Sequence, residues 1–420
     1  MSTGALRRSP AFVRWATAEG ISATGSAVSA VVLPILVFQR TGSAAQTALI
    51  AGIRAVPYLM LGLVAGPVAD RFDRRRLIVG GNLAEGAVMA TIPIASAAGV
   101  LTMGQIYVVA LLAATCFVFS DAAVFGALPR LVGAEQLPHA NGILGSLSSA
   151  AQVIGPALGA ALAAAIGAAN AIWVDAASFA VAAVLVAGIR GSFQAARVER
   201  EHVSLREQVS EGMRYIRNHR VIRVLITAGF GNSFSFGVVT GLLVVYAVRS
   251  LGIPDDSARI GILYSAGAVG ALVAGLVFGR IFRVEKVGQI AAVTIVASSL
   301  LLGLMAFLTV FAVALLVFGV FSLSNMVTQV NGITYRQVAT PDALQSRVNV
   351  IGRMVAWGGQ PFGAALGGVL AQVTSVRTAL LAAAGILLGT GIVTGIVLWD
   401  SGGDGRDREV RPGVARDPHA

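Results

Sequence analysis

The sequence predicts an all-α integral membrane protein with twelve transmembrane helices in two pseudo-symmetric six-helix bundles. Of its 420 residues, 56% are hydrophobic and only 12% are charged, and the mean hydropathy is +0.80. A water-soluble domain of this length does not tolerate such a composition on its surface, so the bilayer must be the solvent. A spanning helix needs roughly 20 apolar residues, and twelve runs of that kind begin at about residues 12, 46, 77, 101, 141, 168, 222, 259, 287, 310, 349 and 378.

The spans divide into two sets of six. The first set forms an amino-terminal bundle, residues 1–188, and the second forms a carboxy-terminal bundle, residues 222–400. Residues 189–221 carry opposite charges three to four positions apart, which is typical of an amphipathic surface helix in a cytoplasmic linker. The tail, residues 401–420, is rich in Gly, Asp, Arg and Pro without an apolar period, so we predict that it is disordered.

An internal repeat relates the two sets. Residues 128–145 resemble residues 334–352, about half a chain length later, with Arg336 at the position of Arg130. The two bundles therefore look like duplicates. In transporters with this organisation, the substrate site lies between repeats that rock against each other.

Glycines spaced four residues apart recur in four spans. Lipid gives helices little hydrophobic reason to associate, and small residues let their backbones approach closely. We therefore interpret these spans as closely packed, although chance spacing in a glycine-rich chain is the alternative. The residues concerned are Gly62 and Gly66, Gly155 and Gly159, Gly275 and Gly279, and Gly359, Gly363 and Gly367.

The net charge of +11 is distributed by membrane side. Only Arg40, Arg249, Arg259 and Arg377 fall in the loops after odd-numbered spans, and Arg54 falls inside a span. Nearly all other basic residues lie at the amino terminus, in the loops after even-numbered spans and in the tail, which is the positive-inside pattern. We therefore predict a multi-pass protein of the cell (inner) membrane with both termini cytoplasmic. The basic residues face anionic lipid rather than nucleic acid.

The loop after span 2, residues 66–77, is a tight basic turn bracketed by an acid. It resembles the cytoplasmic signature of the major facilitator superfamily, in which Gly is followed after three residues by Asp-Arg and then by a basic cluster. Asp73 replaces the second glycine of that signature. The matching residues are Gly66, Asp70, Arg71, Arg74 and Arg75.

The resemblance implies a conformational latch at this turn. Asp121, at the cytoplasmic end of span 4, is the implied partner of Arg74 or Arg75. Such a charge-assisted network would hold the two bundles together on the inner side and stabilise the outward-open state. The alternative is that these arginines only determine topology.

Span 5 carries a second motif. Gln152, Gly155, Pro156 and Gly159 resemble the antiporter motif of drug exporters in the same superfamily, and Pro156 frees a backbone carbonyl and kinks the helix. This motif favours export over uptake. With residues 128–132, 140–142 and 175–179, it makes roughly residues 10–398 resemble the twelve-span drug and siderophore exporters of the enterobactin and macrolide efflux type.

Four ionisable residues lie inside predicted spans. A charge in hydrocarbon costs at least about 2.5 kcal/mol, so each one is a functional candidate. A proton-coupled exporter needs a buried carboxyl group, and we predict that Glu19 or Glu85 carries the proton, with a structural role as the alternative for Glu85. We expect Asp175 and Arg54 to lie near the outer face, in a static ion pair or headgroup contact.

The resemblance also implies that spans 1, 4, 7 and 10 line a central cavity. Aromatic and apolar walls with few hydrogen-bonding groups are typical of a permissive site for amphipathic ligands. Packing or lipid contact is the alternative for each single Phe. The cavity candidates are Phe117, Phe119, Asn232, Phe234, Phe236, Asn325 and Gln329.

Together these features predict a secondary active transporter that exports small amphipathic molecules by proton antiport with alternating access. The substrate would be a drug, a siderophore or a secondary metabolite, and the alternative is an importer or facilitator of a small metabolite. One Cys and four scattered His provide no metal site, and no catalytic constellation is present, so we predict no enzyme activity and no cofactor. We expect a monomer whose partners are membrane lipids, protons and the substrate.

Overall fold

The computed structural model describes residue 6, residues 9–190, residue 193 and residues 205–399, and every regular element in these ranges is helical. The first six long helices are α1 (Pro10–Thr41), α2 (Ala44–Arg71), α3 (Arg74–Ala97), α4 (Met103–Val132), α5 (Leu137–Ile166) and α6 (Ala168–Ala187). A shorter helix, α7 (Leu205–Asn218), precedes α8 (Arg220–Arg249), α9 (Arg259–Ile281), α10 (Val287–Met305), α11 (Phe311–Ala339), α12 (Asp342–Val373) and α13 (Val376–Leu398). The tail that we predicted to be disordered lies outside the described residues.

Local capping determines where several helices begin. Ser9, Ser43, Thr102 and Ser375 each accept a hydrogen bond from the backbone N–H three residues later, at 3.1 to 3.4 Å. These bonds satisfy amide groups that the first helical turn leaves unpaired. Gly42, with φ of 60°, ends α1 in the left-handed region, which lets α2 start almost at once.

Within the described residues, eleven of the helices are long and apolar enough to cross a membrane. The remaining long helix, α12, is less apolar because it contains Arg353, Gln360 and several glycines. It still presents an apolar outer face, on which Phe362 and Leu366 are exposed. Its glycine-rich and polar faces pack against α8 and α2, so we treat α12 as the twelfth span.

The packing of helices repeats between the two bundles, as the sequence predicts. In the amino-terminal half, α1 packs on α5 and α6, α4 packs on α2 and α3, and α3 packs on α6. The corresponding pairs in the carboxy-terminal half are α8 with α12 and α13, α11 with α9 and α10, and α10 with α13. The two halves meet mainly through α2 against α12 and α5 against α9.

The apolar core is continuous between the halves on one side of the membrane only. We call the side where α1 begins the basic side, because the α2–α3 turn there carries Arg71 and Arg74–Arg76, and we call the other side the opposite side. Toward the opposite side, one cluster joins both halves, for example Val31 and Ile50 with Leu242 and Ile260. Toward the basic side the described core splits into three separate clusters, around Trp15, Ile222 and Phe278. The halves are therefore joined on the opposite side.

The helix between the halves docks on the carboxy-terminal bundle. Gly212 of α7 packs against Ile351 and Arg347 of α12, and Arg347 pairs with Glu211. The Tyr215 hydroxyl donates to the Ala339 carbonyl at 2.7 Å. α7 thus lies on the basic side as a surface helix of the second half.

Candidate functional site

Hydrogen bonds close the protein on the opposite side. The Arg249 guanidinium of α8 donates to the Gly42 carbonyl at 2.7 Å, and the Gln372 side chain of α12 accepts from the Ala44 N–H at 2.8 Å. Both bonds join one half to the other. Access to any site between the halves is therefore blocked from this side.

The basic side is open. A Cβ atom added at Gly66 of α2, at Gly142 of α5, or at Gly275 or Gly279 of α9 would have no neighbouring atom within 4 Å. These positions lie near the basic ends of the helices that join the halves on the opposite side. Among the described residues, these helix ends on the basic side therefore border open space, whereas the opposite side is closed.

An open cavity of about 540 Å³ lies in the amino-terminal half, between α1, α3, α4 and α5. Three carboxyl groups line it, those of Glu19, Glu85 and Asp121, and no Lys or Arg is among its described lining residues. Phe117 and Phe125 also line it, and these two rings are exposed. The cavity therefore combines aromatic walls with an excess of negative charge.

Glu19 lies in this cavity within electrostatic range of Asp121. The α1 side chains Ser22 and Ser26, about one and two turns further along the same face, add hydroxyl groups to the wall. Our sequence prediction placed Glu19 on a central cavity between the bundles, whereas the cavity that it lines here lies within the amino-terminal half. Its role in proton transfer stays a prediction.

A second, more enclosed cavity of about 270 Å³ lies deeper in the same half. Glu85 and Phe117 line both cavities, and Arg54, Asp175 and Ser29 line only the deeper one. The headgroup contact that we gave as one expectation for Asp175 is wrong in this conformation, because its side chain is only 2% exposed, and the static ion pair stays a prediction.

Close packing of α6 against α1 explains the burial of Asp175. A Cβ added at Gly25 of α1 would lie 2.8 Å from an Asp175 carboxylate oxygen and 2.1 Å from the Ser178 hydroxyl. The glycine removes the side chain that would keep the two helices apart. Asp175 is therefore enclosed between α1 and α3, within electrostatic range of Glu85 and Arg54.

The latch arginines bind backbone carbonyls of their own half in this conformation. Arg74 donates to the Gly126 carbonyl of α4 at 2.7 Å and to the Phe193 carbonyl at 3.4 Å. Arg75 donates to the Ala187 carbonyl at the end of α6. Because a Cβ at Gly126 would lie 2.6 Å from the Arg74 guanidinium carbon, only a glycine leaves room for this contact.

Asp121 and the other predicted latch residues pack less closely against their neighbours than Arg74 and Arg75 do. Asp121 is exposed, and Arg353 of α12 lies within electrostatic range of it. Arg71 is exposed and Gly66 borders open space, whereas the side chain of Asp70 lies outside the described residues. A contact between Asp121 and Arg74 or Arg75 in the other conformation stays a prediction.

The antiporter-like motif lies where three helices cross. Gly159 of α5 packs against the α1 backbone, since an added Cβ would lie 2.9 Å from the Val28 carbonyl oxygen, and Gly155 packs against Ala27. The Pro156 carbonyl faces Gly261 of α9 in the other half. Gln152, on the exposed side of α5, donates to the Ser148 hydroxyl at 3.4 Å. The motif thus joins α1, α5 and α9.

A matching arrangement occurs in the carboxy-terminal half. Gly359, Gly363 and Gly367 of α12 pack against α8, and the Pro361 carbonyl faces Gly52 of α2. Each half therefore presents a proline carbonyl to a glycine of the other half. The closely packed glycines are those of α5 and α12, whereas Gly62, Gly66, Gly275 and Gly279 have no close neighbour from another helix. The spacing prediction is wrong for those four.

The residues of α8 and α11 that we predicted to line the cavity are mostly buried inside the carboxy-terminal half. The Asn232 and Asn325 side chains are 0% and 1% exposed, so the prediction that they line the cavity is wrong for this conformation. The cause is packing inside the second half, where Phe236 stacks on Phe321 and Gln329 donates to Asn325 at 2.8 Å. Phe119 and Phe234 are half-buried, and Phe117 faces both cavities.

Arg353 is a residue that the sequence analysis missed. Its guanidinium lies 5.4 Å from the Tyr58 ring centre and 5.9 Å from the Trp357 ring centre, which is cation–π geometry. These residues join α2 and α12 where the two halves meet. An arginine near the start of predicted span 11 was the signal available.

A family profile described as Major Facilitator Superfamily matches residues 16–356. The chain belongs to the major facilitator superfamily. As a member of this superfamily it is a membrane transporter and not an enzyme, and the predicted likeness to drug and siderophore exporters is confirmed by its relatives.

Those relatives carry efflux names. The multidrug efflux pump Tap of Mycobacterium tuberculosis is 31% identical over 229 residues, which span 52% of this chain and about half, 53%, of that protein. Tap of Mycolicibacterium fortuitum is 24% identical over 88% of this chain and 91% of that protein. The enterobactin exporter EntS of Citrobacter koseri is 25% identical over 91% of both.

Solved transporter structures share the fold. The nucleoside transporter NupG superposes with a TM-score of 0.76 at 10% identity, over 92% of this chain and 98% of that chain. A bacterial homologue of the iron transporter ferroportin, in an inward-facing state, gives 0.73 at 15% identity, over 93% and 98%. At these identities the likeness shows the major facilitator fold alone.

Proposed function

We propose that this protein is a secondary active exporter of small amphipathic molecules, driven by proton antiport with alternating access. The observation that carries the proposal is the open cavity, in which exposed Phe rings and carboxyl groups line one continuous surface. Relatives named as multidrug, macrolide and enterobactin exporters support the direction of transport. Carboxyl groups at membrane depth provide sites that a proton can occupy.

We assign the basic side to the cytoplasm. The turn with Arg71 and Arg74–Arg76 lies on that side, and cytoplasmic loops carry the excess of Lys and Arg. The amino terminus is then cytoplasmic, as is the carboxy terminus, because α13 ends on the same side. With this orientation, the conformation described above is open to the cytoplasm and ready to load a substrate.

The charge of the open cavity favours substrates that carry a positive charge. Glu19, Glu85 and Asp121 line the cavity and no described Lys or Arg does, so a ligand with a protonated amine gains electrostatic complementarity. An anionic siderophore would meet like charge. We therefore propose that amphipathic compounds with a basic nitrogen are the preferred cargo, taken up by a monomer that needs no partner besides lipid and protons.

Transport in inside-out membrane vesicles tests the function. With a proton gradient imposed so that the lumen is acidic, we expect wild-type vesicles to accumulate a lipophilic cation such as ethidium, and an uncoupler to abolish the accumulation. Glu19→Gln should lower accumulation at least about tenfold while dye binding persists, because the amide keeps the shape but cannot carry the proton. Glu135→Gln, the same change in the α4–α5 connection, is the control and should transport normally.

The outcomes separate the alternatives. Absence of accumulation for cationic dyes, macrolides and siderophores alike would rule out export. Accumulation of a small metabolite in right-side-out vesicles would favour the importer or facilitator instead. Unchanged transport by Glu19→Gln would remove Glu19 from proton coupling.

Asp121→Asn tests the substrate class. Asp121 is exposed in the cavity, so loss of its charge should raise the KM for a cationic dye about tenfold, which corresponds to about 1.4 kcal/mol, and change the KM of a neutral substrate far less. Asp255→Asn, in the loop on the opposite side, is the matched control. An equal loss for cationic and neutral substrates would contradict the assignment.

A further inference from the structure

We propose that Glu85 and Asp175, with Arg54 as their counter-charge, form an acid pair at the enclosed cavity that holds one exchangeable proton, and that Glu85 connects this pair to the open substrate cavity. This proposal rests on the proton antiport proposed above and assigns it a proton site in addition to Glu19. It adds Asp175 and Arg54 to the function and gives Glu85 a partner.

The charges in the enclosed cavity balance when one proton is bound. Glu85 of α3 and Asp175 of α6 contribute two carboxyl groups, and Arg54 of α2 contributes one positive charge. With both acids ionised, the cavity would keep one unpaired negative charge, and an unpaired charge inside the membrane is costly. One bound proton makes the cavity neutral.

Buried polar groups surround the acid pair. The Ser29 side chain is 1% exposed, and its hydroxyl group and that of Ser178 lie beside the Asp175 carboxyl group. Buried polar atoms normally find a partner. Ser29 and Asp175 both line the 270 Å³ cavity, which has room for water and a mobile proton.

Protons can reach the acid pair from the open cavity. Glu85 lines both the enclosed cavity and the open cavity, whereas Asp175 lines only the enclosed one. A proton from the basic side can therefore reach Glu85 through the open cavity and pass from its carboxyl group to the Asp175 carboxylate. The net charge of the pair is the same before and after this transfer, so only entry or exit at Glu85 changes the charge.

Charged and titratable groups around the acid pair determine its electrostatic environment. On the open side, Glu19 of α1 and Asp121 of α4 repel negative charge and attract a cationic substrate. Cys116 of α4 lies within electrostatic range of Glu85, and Tyr264 of α9 lies within range of Arg54. Because Tyr264 belongs to the other half, Arg54 connects the charge of the pair to the interface between the halves.

Infrared difference spectroscopy on the purified full-length protein in lipid nanodiscs tests the pair. Between mildly acidic and mildly alkaline pH, the wild type should lose the carbonyl signal of one protonated carboxylic acid at this site. Glu85→Gln, Asp175→Asn and the double variant should each lack that same signal, because the two residues share one proton. Glu135→Gln should keep it, and Ser29→Ala should shift its frequency without removing it.

Several outcomes would overturn the proposal. They are a signal that Asp175→Asn leaves intact, losses that add in the double variant, or a signal that depends on Na⁺ rather than pH. If Asp175→Asn does not fold, Glu85→Gln and Ser29→Ala decide the question, because both leave Asp175 in place. The readout needs no substrate, so failure of wild-type vesicles to concentrate a dye would reject the export function without deciding the acid pair.

Discussion

We expect Gly363→Val to lower the yield of folded protein at least about tenfold. Gly363 is the point of closest approach between α12 and α8, where an added Cβ would lie 1.9 Å from the carbonyl oxygen of Phe234. That atom belongs to a helix backbone and cannot move away as a side chain could. Overpacking of this kind destabilises by several kcal/mol because the whole helix must shift. Size-exclusion chromatography of the detergent-solubilised protein measures the folded fraction.

Gly275→Val is the matched control for this prediction. Gly275 is also a helical glycine in a predicted span, but an added Cβ there meets no atom within 4 Å. We expect wild-type yield from this variant. Equal yields from Gly363→Val and Gly275→Val would contradict the packing of α12 on α8.

We expect Gly261→Val to abolish transport while leaving the protein folded. Gly261 of α9 faces the Pro156 carbonyl of α5, and an added Cβ would lie 2.2 Å from that oxygen. This clash is between the two halves rather than within one, so it destabilises only the conformation that is closed on the opposite side. Overpacking typically costs about 1–3 kcal/mol and more against a rigid backbone, so the clash shifts the population of the two conformations strongly.

Vesicle uptake and cysteine labelling together measure this effect. Uptake of a cationic dye should fall at least about a hundredfold, and a cysteine introduced at Ser43 should label faster from the opposite side than in the wild type. Gly279→Val, on the same helix with no neighbour within 4 Å, should behave as the wild type. Normal uptake by Gly261→Val would show that the two halves do not close through this contact.

The helices and their pairing were predictable because hydrophobic length and the internal repeat report them directly. Glycine spacing predicted close helix packing correctly for α5 and α12 but not for α2 and α9. Gly155, Gly159, Gly363 and their neighbours meet another helix backbone, whereas Gly62 and Gly275 have the same spacing and no close neighbour. Spacing identifies a smooth helix face, but which face meets a partner depends on the conformation of the two halves.

The site was predictable where charge alone identifies a residue. Glu19 and Glu85 were found because carboxyl groups are rare in spans, and both line the open cavity. The burial of Asp175, which excludes a headgroup contact, was not predicted because it depends on Gly25, which lies on another helix. Asn232 failed for a similar reason, since span number does not determine which side of a helix faces the cavity. The backbone acceptors of Arg74 and Arg75 carry no sequence signal at all.

A pair of spin-label distances tests alternating access most directly. With Cys116 replaced by Ala, one label pair goes at Ser43 and Gln372, which join the halves on the opposite side, and a second at Gly142 and Gly279, which border the opening. In nanodiscs, addition of a transported cation at mildly alkaline pH, where the carboxyl groups are free of protons, should lengthen the first distance and shorten the second in the same population of molecules. If neither distance changes, or both change in the same direction, the two halves do not rock about a central site.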